Sequence, residues 1–91
     1  MEREQLRCRG RAMLRQIAGE YVLIPLGETA MQTQKLICLT ESSAMLWNLL
    51  EAGTTEEAMC SALLDTYEVD RDTARADTAE FIKTMRSLQL L

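Results

Sequence analysis

Histidine is missing altogether from this 91-residue chain, which removes the commonest general acid-base group and the usual completion of a mixed zinc site. A glycine-rich phosphate loop and a nucleophile elbow are missing as well. The single adjacent carboxylate pair, Glu56-Glu57, is explained by charge stabilisation at a helix N-terminus. Catalysis is poorly provided for, and the expectation is a chain that is not an enzyme and holds no cofactor. Cysteine is scarce too: Cys8, Cys38 and Cys60 are odd in number and too far apart for a CxxC pair, which argues against a disulfide framework or a metal site. Cys38 and Cys60 sit in apolar patterns and read as buried small hydrophobes, whereas Cys8 reads as exposed. The longest apolar run, "YVLIPL", is far short of the roughly 20 residues a membrane span requires. The charged N-terminus "MEREQLRCRGRAMLRQ" lacks the apolar stretch of a secretory signal. No membrane is implied, and the expected location is cytoplasmic.

What is present is one domain's worth of apolar residues, 47% of the chain, ordinary for a single core. Charge is unevenly placed within a net of −4. Five of the ten basic residues, Arg3, Arg7, Arg9, Arg11 and Arg15, lie in the first fifteen positions, and from Glu41 to Asp70 seven acidic residues occur with no basic one.

Residues 1–11 show no regular pattern and read as a flexible or irregular arm, with residues 12–91 as the domain. "MLRQIAGEYVLIPLG" reads as two short strands, with Gly19 supplying positive φ in a tight hairpin. The lone proline, Pro25, marks a strand end or an edge because it cannot donate to a ladder. After a polar turn over 27–33, "KLICL" forms a third strand, with Leu36 and Cys38 on one face and Ile37 and Leu39 on the other. Both faces are apolar, so both call for cover.

Three helices follow. Thr40 caps the first, about 41–52, with Gly53 as its stop. Thr54 or Thr55 begins the second, whose stripe is Met59, Leu63 and Tyr67; Thr54 has Glu57 three positions on, as a capping box requires. Asp70 caps a third helix running to about Leu88. Its core stripe is Ala74, Thr78, Phe81, Met85 and Leu88, and Ile82 lies off that line. The fold expected is α+β, winged helix-turn-helix-like, with a three-stranded antiparallel sheet followed by three helices.

Two uses of such a fold compete. A winged-helix DNA-binding regulator needs several phosphate-neutralising cations. Here the third helix balances Arg71, Arg75, Lys83 and Arg86 against Asp70, Asp72, Asp77 and Glu80, and the second helix with its flanks is purely acidic. Nucleic acid is therefore the weaker reading. The alternative is peptide capture: an apolar third strand at the sheet edge offers free backbone groups to an extended guest chain. The N-terminal arm, or a twin subunit in a homodimer, would cover the same edge equally well.

From Gly19 to Leu91 the chain resembles the PqqD-like family, also called RiPP recognition elements. The matching stretches are "GEYVLIPLGE", "LTESSAMLWNLLEAGTTEE" and "ALLDTYEVDRDTARADTAEFIKTMRSLQLL", carrying in order Trp47, Leu50, Gly53, Tyr67, Val69, Asp70, Asp77 and Phe81. Departures are mild: Thr40 stands where asparagine is usual, Thr78 where valine is, and Gln89 where glycine is. The last of these puts the packing of Leu90 and Leu91 in question. The resemblance implies a peptide chaperone that binds the leader peptide of a ribosomally made precursor and presents it to a maturation enzyme, commonly a radical SAM enzyme, in natural-product biosynthesis. In the family the leader adds as a strand between the third strand and the third helix. Carried to this chain, the ladder falls on Lys35, Leu36, Ile37, Cys38 and Leu39, and the facing wall on Ala74, Asp77, Thr78, Phe81 and Ile82.

Overall fold

The computed structural model describes residues 5–8, 11–27 and 36–91. Four strands come first: β1 (Gln5–Leu6), β2 (Ala12–Ile17), β3 (Glu20–Pro25) and β4 (Ile37–Leu39). Then come α1 (Glu41–Ala52), the two-residue β5 (Thr54–Thr55), α2 (Glu56–Thr66) and α3 (Arg71–Ser87). The larger sheet is antiparallel in the order β2-β3-β4, and the three helices follow it, as the sequence pattern predicts.

Local chemistry accounts for the joints. Between β2 and β3, Ala18 and Gly19 take φ of 53° and 81°, the left-handed pair that lets a two-residue turn match the twist of its strands. Thr40 accepts from the Ser43 amide at 3.1 Å, Thr55 from Ala58 at 3.0 Å, and Asp70 from Thr73 at 2.7 Å. Each hydroxyl or carboxylate satisfies an amide that a helix start leaves unpaired. Hydrogen bonding from Thr73 also holds the Asp70 carboxyl below its ordinary pKa. For α2 the cap is Thr55 rather than Thr54, because Thr54 is buried in a ladder with Leu6.

That ladder revises the reading of the N-terminal arm. Gln5 and Leu6 pair with Thr55 and Thr54, and Leu6 is buried in the core. The contact joins positions nearly fifty residues apart, which no local pattern signals. Gly53 makes room for it: a Cβ there would lie 3.3 Å from Gln5 Nε2, and the residue sits at φ 91° at the end of α1.

The core gathers Leu23 from the sheet, Leu46, Trp47 and Leu50 from α1, Met59 and Leu63 from α2, and Ala74, Phe81, Ile82 and Met85 from α3. Ile82, read from the sequence as off the stripe, is only 7% exposed. It is buried because α2 covers the neighbouring sector of α3, which widens the stripe. Trp47 is wholly enclosed, and its indole N–H finds no partner among the described residues.

At the C-terminus Gln89 takes the left-handed conformation, φ 60°, where the resemblance led us to expect glycine. The Leu90 amide donates to the Met85 carbonyl at 2.9 Å and the Gln89 amide to Arg86 at 3.1 Å. This is the paired closure of a Schellman motif. Leu90 is fully buried as a result, so the missing glycine does not cost the chain this contact.

Candidate functional site

β4 lies at one edge of the sheet. Its register with β3 pairs Leu39 with Tyr21, Cys38 with Val22 and Ile37 with Leu23, and it has no partner on its other side among the described residues. An edge strand presents unpaired N–H and C=O groups to any extended chain that approaches. Ile37 and Leu39 are half-buried and pack against the core, whereas Cys38 is exposed and Leu36, just before the strand, is 62% exposed. The expectation that both faces of this strand are covered, with Cys38 buried, is therefore corrected. Among the described residues only the inward face of this strand packs against the core. Cys8 is also corrected, in the opposite sense: it is half-buried beside the core rather than exposed. Lys35 falls outside the described residues.

The helical wall divides. Ala74 and Thr78 are fully buried, and Phe81 and Ile82 nearly so. Thr78 and Ile82 turn toward α2 rather than toward the strand: they line an open groove of about 840 Å³ with Glu56, Cys60 and Leu64. The Thr78 hydroxyl is enclosed without a hydrogen-bond partner among the described residues. Asp77, on the opposite shoulder of α3, is exposed. It shares a pocket of about 260 Å³ with Thr40 and Glu41 at the end of β4 and with Leu63, Tyr67 and Val69. Of the five wall residues, Asp77 alone lines a pocket with the end of the strand.

A second concavity of about 420 Å³ lies at the hairpin end of the sheet, lined by Gln16, Gly19, Glu20, Tyr21, Cys38, Leu39 and Glu41. The two pockets flank the C-terminal end of β4 and share Glu41. Sequence reasoning missed Glu41, Tyr21, Tyr67 and Val69 as lining residues. The signal for Glu41 was its place one residue after the cap that ends the strand; Tyr67 and Val69 arrive through the turn between α2 and α3, which carries no local sign of where it points. Glu20, Glu41 and Asp77 rim the pockets, and neither lining includes a lysine or arginine. Burial, then Glu41, then Tyr21 push the Tyr67 phenol above its ordinary pKa, so the ring keeps its proton beside this acidic rim.

Such a site can extend a ladder and receive side chains at its ends. Among the described residues no group of three or more His, Cys, Asp or Glu could hold a metal ion, and no helix is long and apolar enough to cross a membrane.

No curated protein matches the chain. A solved structure does: TbiB1 in complex with the TbiA(beta) leader peptide, 27% identical, with a TM-score of 0.74 and 94% of each chain covered. The sequence profile described as Coenzyme PQQ synthesis protein D (PqqD) matches residues 20–91, from the first residue of β3 to the C-terminus, and the chain belongs to that family.

Proposed function

We propose that this chain is a non-catalytic, cytoplasmic adaptor. It binds the leader of a ribosomally synthesised precursor peptide as an added strand on β4 and presents the core of that peptide to a modifying enzyme of the radical SAM class. The observation that carries the reading is the open edge of β4 with a pocket on either side of its C-terminal end. The solved complex of TbiB1 with its leader supports it by analogy.

In this reading the ladder runs along Lys35 to Leu39, and Asp77 with Phe81 forms the helix side of the groove. Ala74, Thr78 and Ile82 act from behind, by fixing where α3 lies. Three or four backbone bonds at about 1 kcal/mol each and two apolar anchors at about 2 kcal/mol each sum to roughly 7–8 kcal/mol. Ordering costs bring that down to micromolar affinity. DNA binding is disfavoured by α2, which carries Glu56, Glu57 and Asp65 with no cation.

The test is backbone methylation of a precursor leader peptide that this chain binds. Methylating the amides that face β4 should abolish binding measured by fluorescence anisotropy, and methylating the alternate amides should leave it within a few-fold. Equal tolerance at both sets would show that the guest does not add to the sheet. Affinity that falls steeply with added salt would instead favour a phosphate-bearing ligand.

A further inference from the structure

The face of the sheet turned away from the helices holds every large hydrophobic residue that is exposed among the described residues: Met13 at 39%, Ile17 at 51% and Leu36 at 62%. None of the three belongs to the core cluster. Two charged residues stand among them. Arg15 lies between Met13 and Ile17 on β2, and Glu20 lies opposite Ile17 on β3. Arg15 donates from Nε to the Met13 sulfur at 3.0 Å, and neither charge forms an ion pair among the described residues.

The register puts these residues in a definite array. Ile17 is opposite Glu20, Arg15 is opposite Val22, Val22 is opposite Cys38, and Leu36 lies two positions before Cys38. Ile17, Val22 and Leu36 therefore fall on one diagonal, each one strand over and one outward-facing position along. Val22, 7% exposed, is the floor of that line. With strands about 4.8 Å apart and a rise of about 3.4 Å per residue, Arg15 and Glu20 lie at nearly equal distances on either side of it. Cys38 lies as far from it on the Glu20 side, with Ile24 as its counterpart on the Arg15 side.

We propose that this outer face is an interface between two copies of the chain, packed sheet to sheet about a two-fold axis along the Ile17–Val22–Leu36 diagonal. An isologous contact requires a patch that is complementary to itself, residue by residue. Turned about this axis, Arg15 of one copy meets Glu20 of the other, twice. Cys38 of one copy meets Ile24 of the other, and the diagonal apolar residues meet at the centre. A basic or an acidic patch would repel its own copy; this one carries one charge of each sign in mirrored positions. The diagonal runs about 35° from the strands, so the strands of the two copies cross at about 70°, and the facing sheets lie about 10 Å apart.

The packed area is small. Two strands of six residues and one of three cover roughly 250 Å² a side, against about 800 Å² for a standard stable partner. The dimer is accordingly weak and forms at high protein concentration. It leaves the outer backbone edge of β4 free, so it differs from a pairing of the two β4 edges, and it does not rest on the leader-binding reading.

Sedimentation equilibrium of the purified chain from 10 µM to 1 mM tests it. The average mass should climb toward twice the monomer value across that range. Arg15→Glu should hold the chain at monomer mass at least tenfold higher in concentration, Glu20→Arg should do the same, and the double reversal should restore association. Circular dichroism of each variant checks that the fold is retained. A chain that stays monomeric at 1 mM overturns the proposal and leaves the face to a different protein. A dimer indifferent to both charge reversals, or one that the double reversal fails to restore, overturns it as well.

Discussion

The two faces of the β2-β3-β4 sheet are built from nearly equal numbers of apolar residues yet meet different surroundings. On the inner face Leu23 is completely enclosed, with Leu14, Ile37 and Leu39 packed around it and the helices behind. On the outer face Met13, Ile17 and Leu36 remain largely open. Alternation with a period of two assigns residues to faces, but it does not say which face another layer will cover. The covering is a tertiary fact, set by where α1, α2 and α3 go once the sheet ends at Thr40. Apolar residues kept on an uncovered face are then a statement about contacts outside the folded chain.

The largest expected effect separates the faces by stability. Leu23→Ala removes a fully enclosed side chain and should cost about 2–5 kcal/mol. Ile17→Ala, made under dilute conditions, should fall within about 0.5 kcal/mol of the parent. Urea unfolding with unchanged slope measures both. Equal costs would mean that the outer face is packed within a single chain, and the contrast between the faces would collapse.

A second contrast uses the thiols. Cys38 is exposed on the outer face, while Cys8 is half-buried against the core, its thiol pushed up to about 11 by burial and then by Glu51. Reaction with a disulfide reagent at pH 8 should modify Cys38 at least about tenfold faster than Cys8, since the thiolate is the attacking species. Single-cysteine variants followed by mass spectrometry give the two rates. Comparable rates would place Cys8 in water and undo the packing assigned to the N-terminal segment.

What the sequence revealed and what it hid follow the same division between local and distant causes. Thr40, Asp70 and Gly53 could be read because a cap is satisfied within three or four residues, and the hairpin at Gly19 because its turn chemistry lies in two residues. The β1–β5 ladder was invisible because two residues carry no periodicity and their partners lie nearly fifty positions away in the sequence. Ile82 was misplaced because helical spacing gives an angle but not the width of the neighbour that covers it. The candidate site shows both cases at once: the edge strand was legible, whereas the pockets depend on Glu41, Tyr67 and Val69 being brought together by turns.

A smaller effect tests how far the covered side extends. Leu90 is enclosed because Gln89 accepts a left-handed φ of 60°, a conformation that costs a side-chain-bearing residue about 1 kcal/mol relative to glycine. Gln89→Gly should therefore raise unfolding stability by up to about 1 kcal/mol, read from the urea midpoint. A loss of stability would show that the Gln89 side chain makes a contact worth more than the strain.

The last and smallest effect is one of pH. The folded chain holds the Cys8 thiol at about 11 against an ordinary value of 9.0, so folding favours the neutral form. Below pH 9 both states carry the proton and the contribution to stability is fully present. As pH rises, the unfolded chain ionises first, and stability drains away until the folded thiol also titrates near 11. The raised Tyr67 phenol acts with the same sign at higher pH. Chemical denaturation between pH 8 and 11 should thus show a decline that is shallower in Cys8→Ala, and shallower again when Tyr67→Phe is added. A decline equally steep in the parent and in Cys8→Ala would mean that the fold does not hold this thiol in its neutral form, and would take away the packing assigned to Cys8.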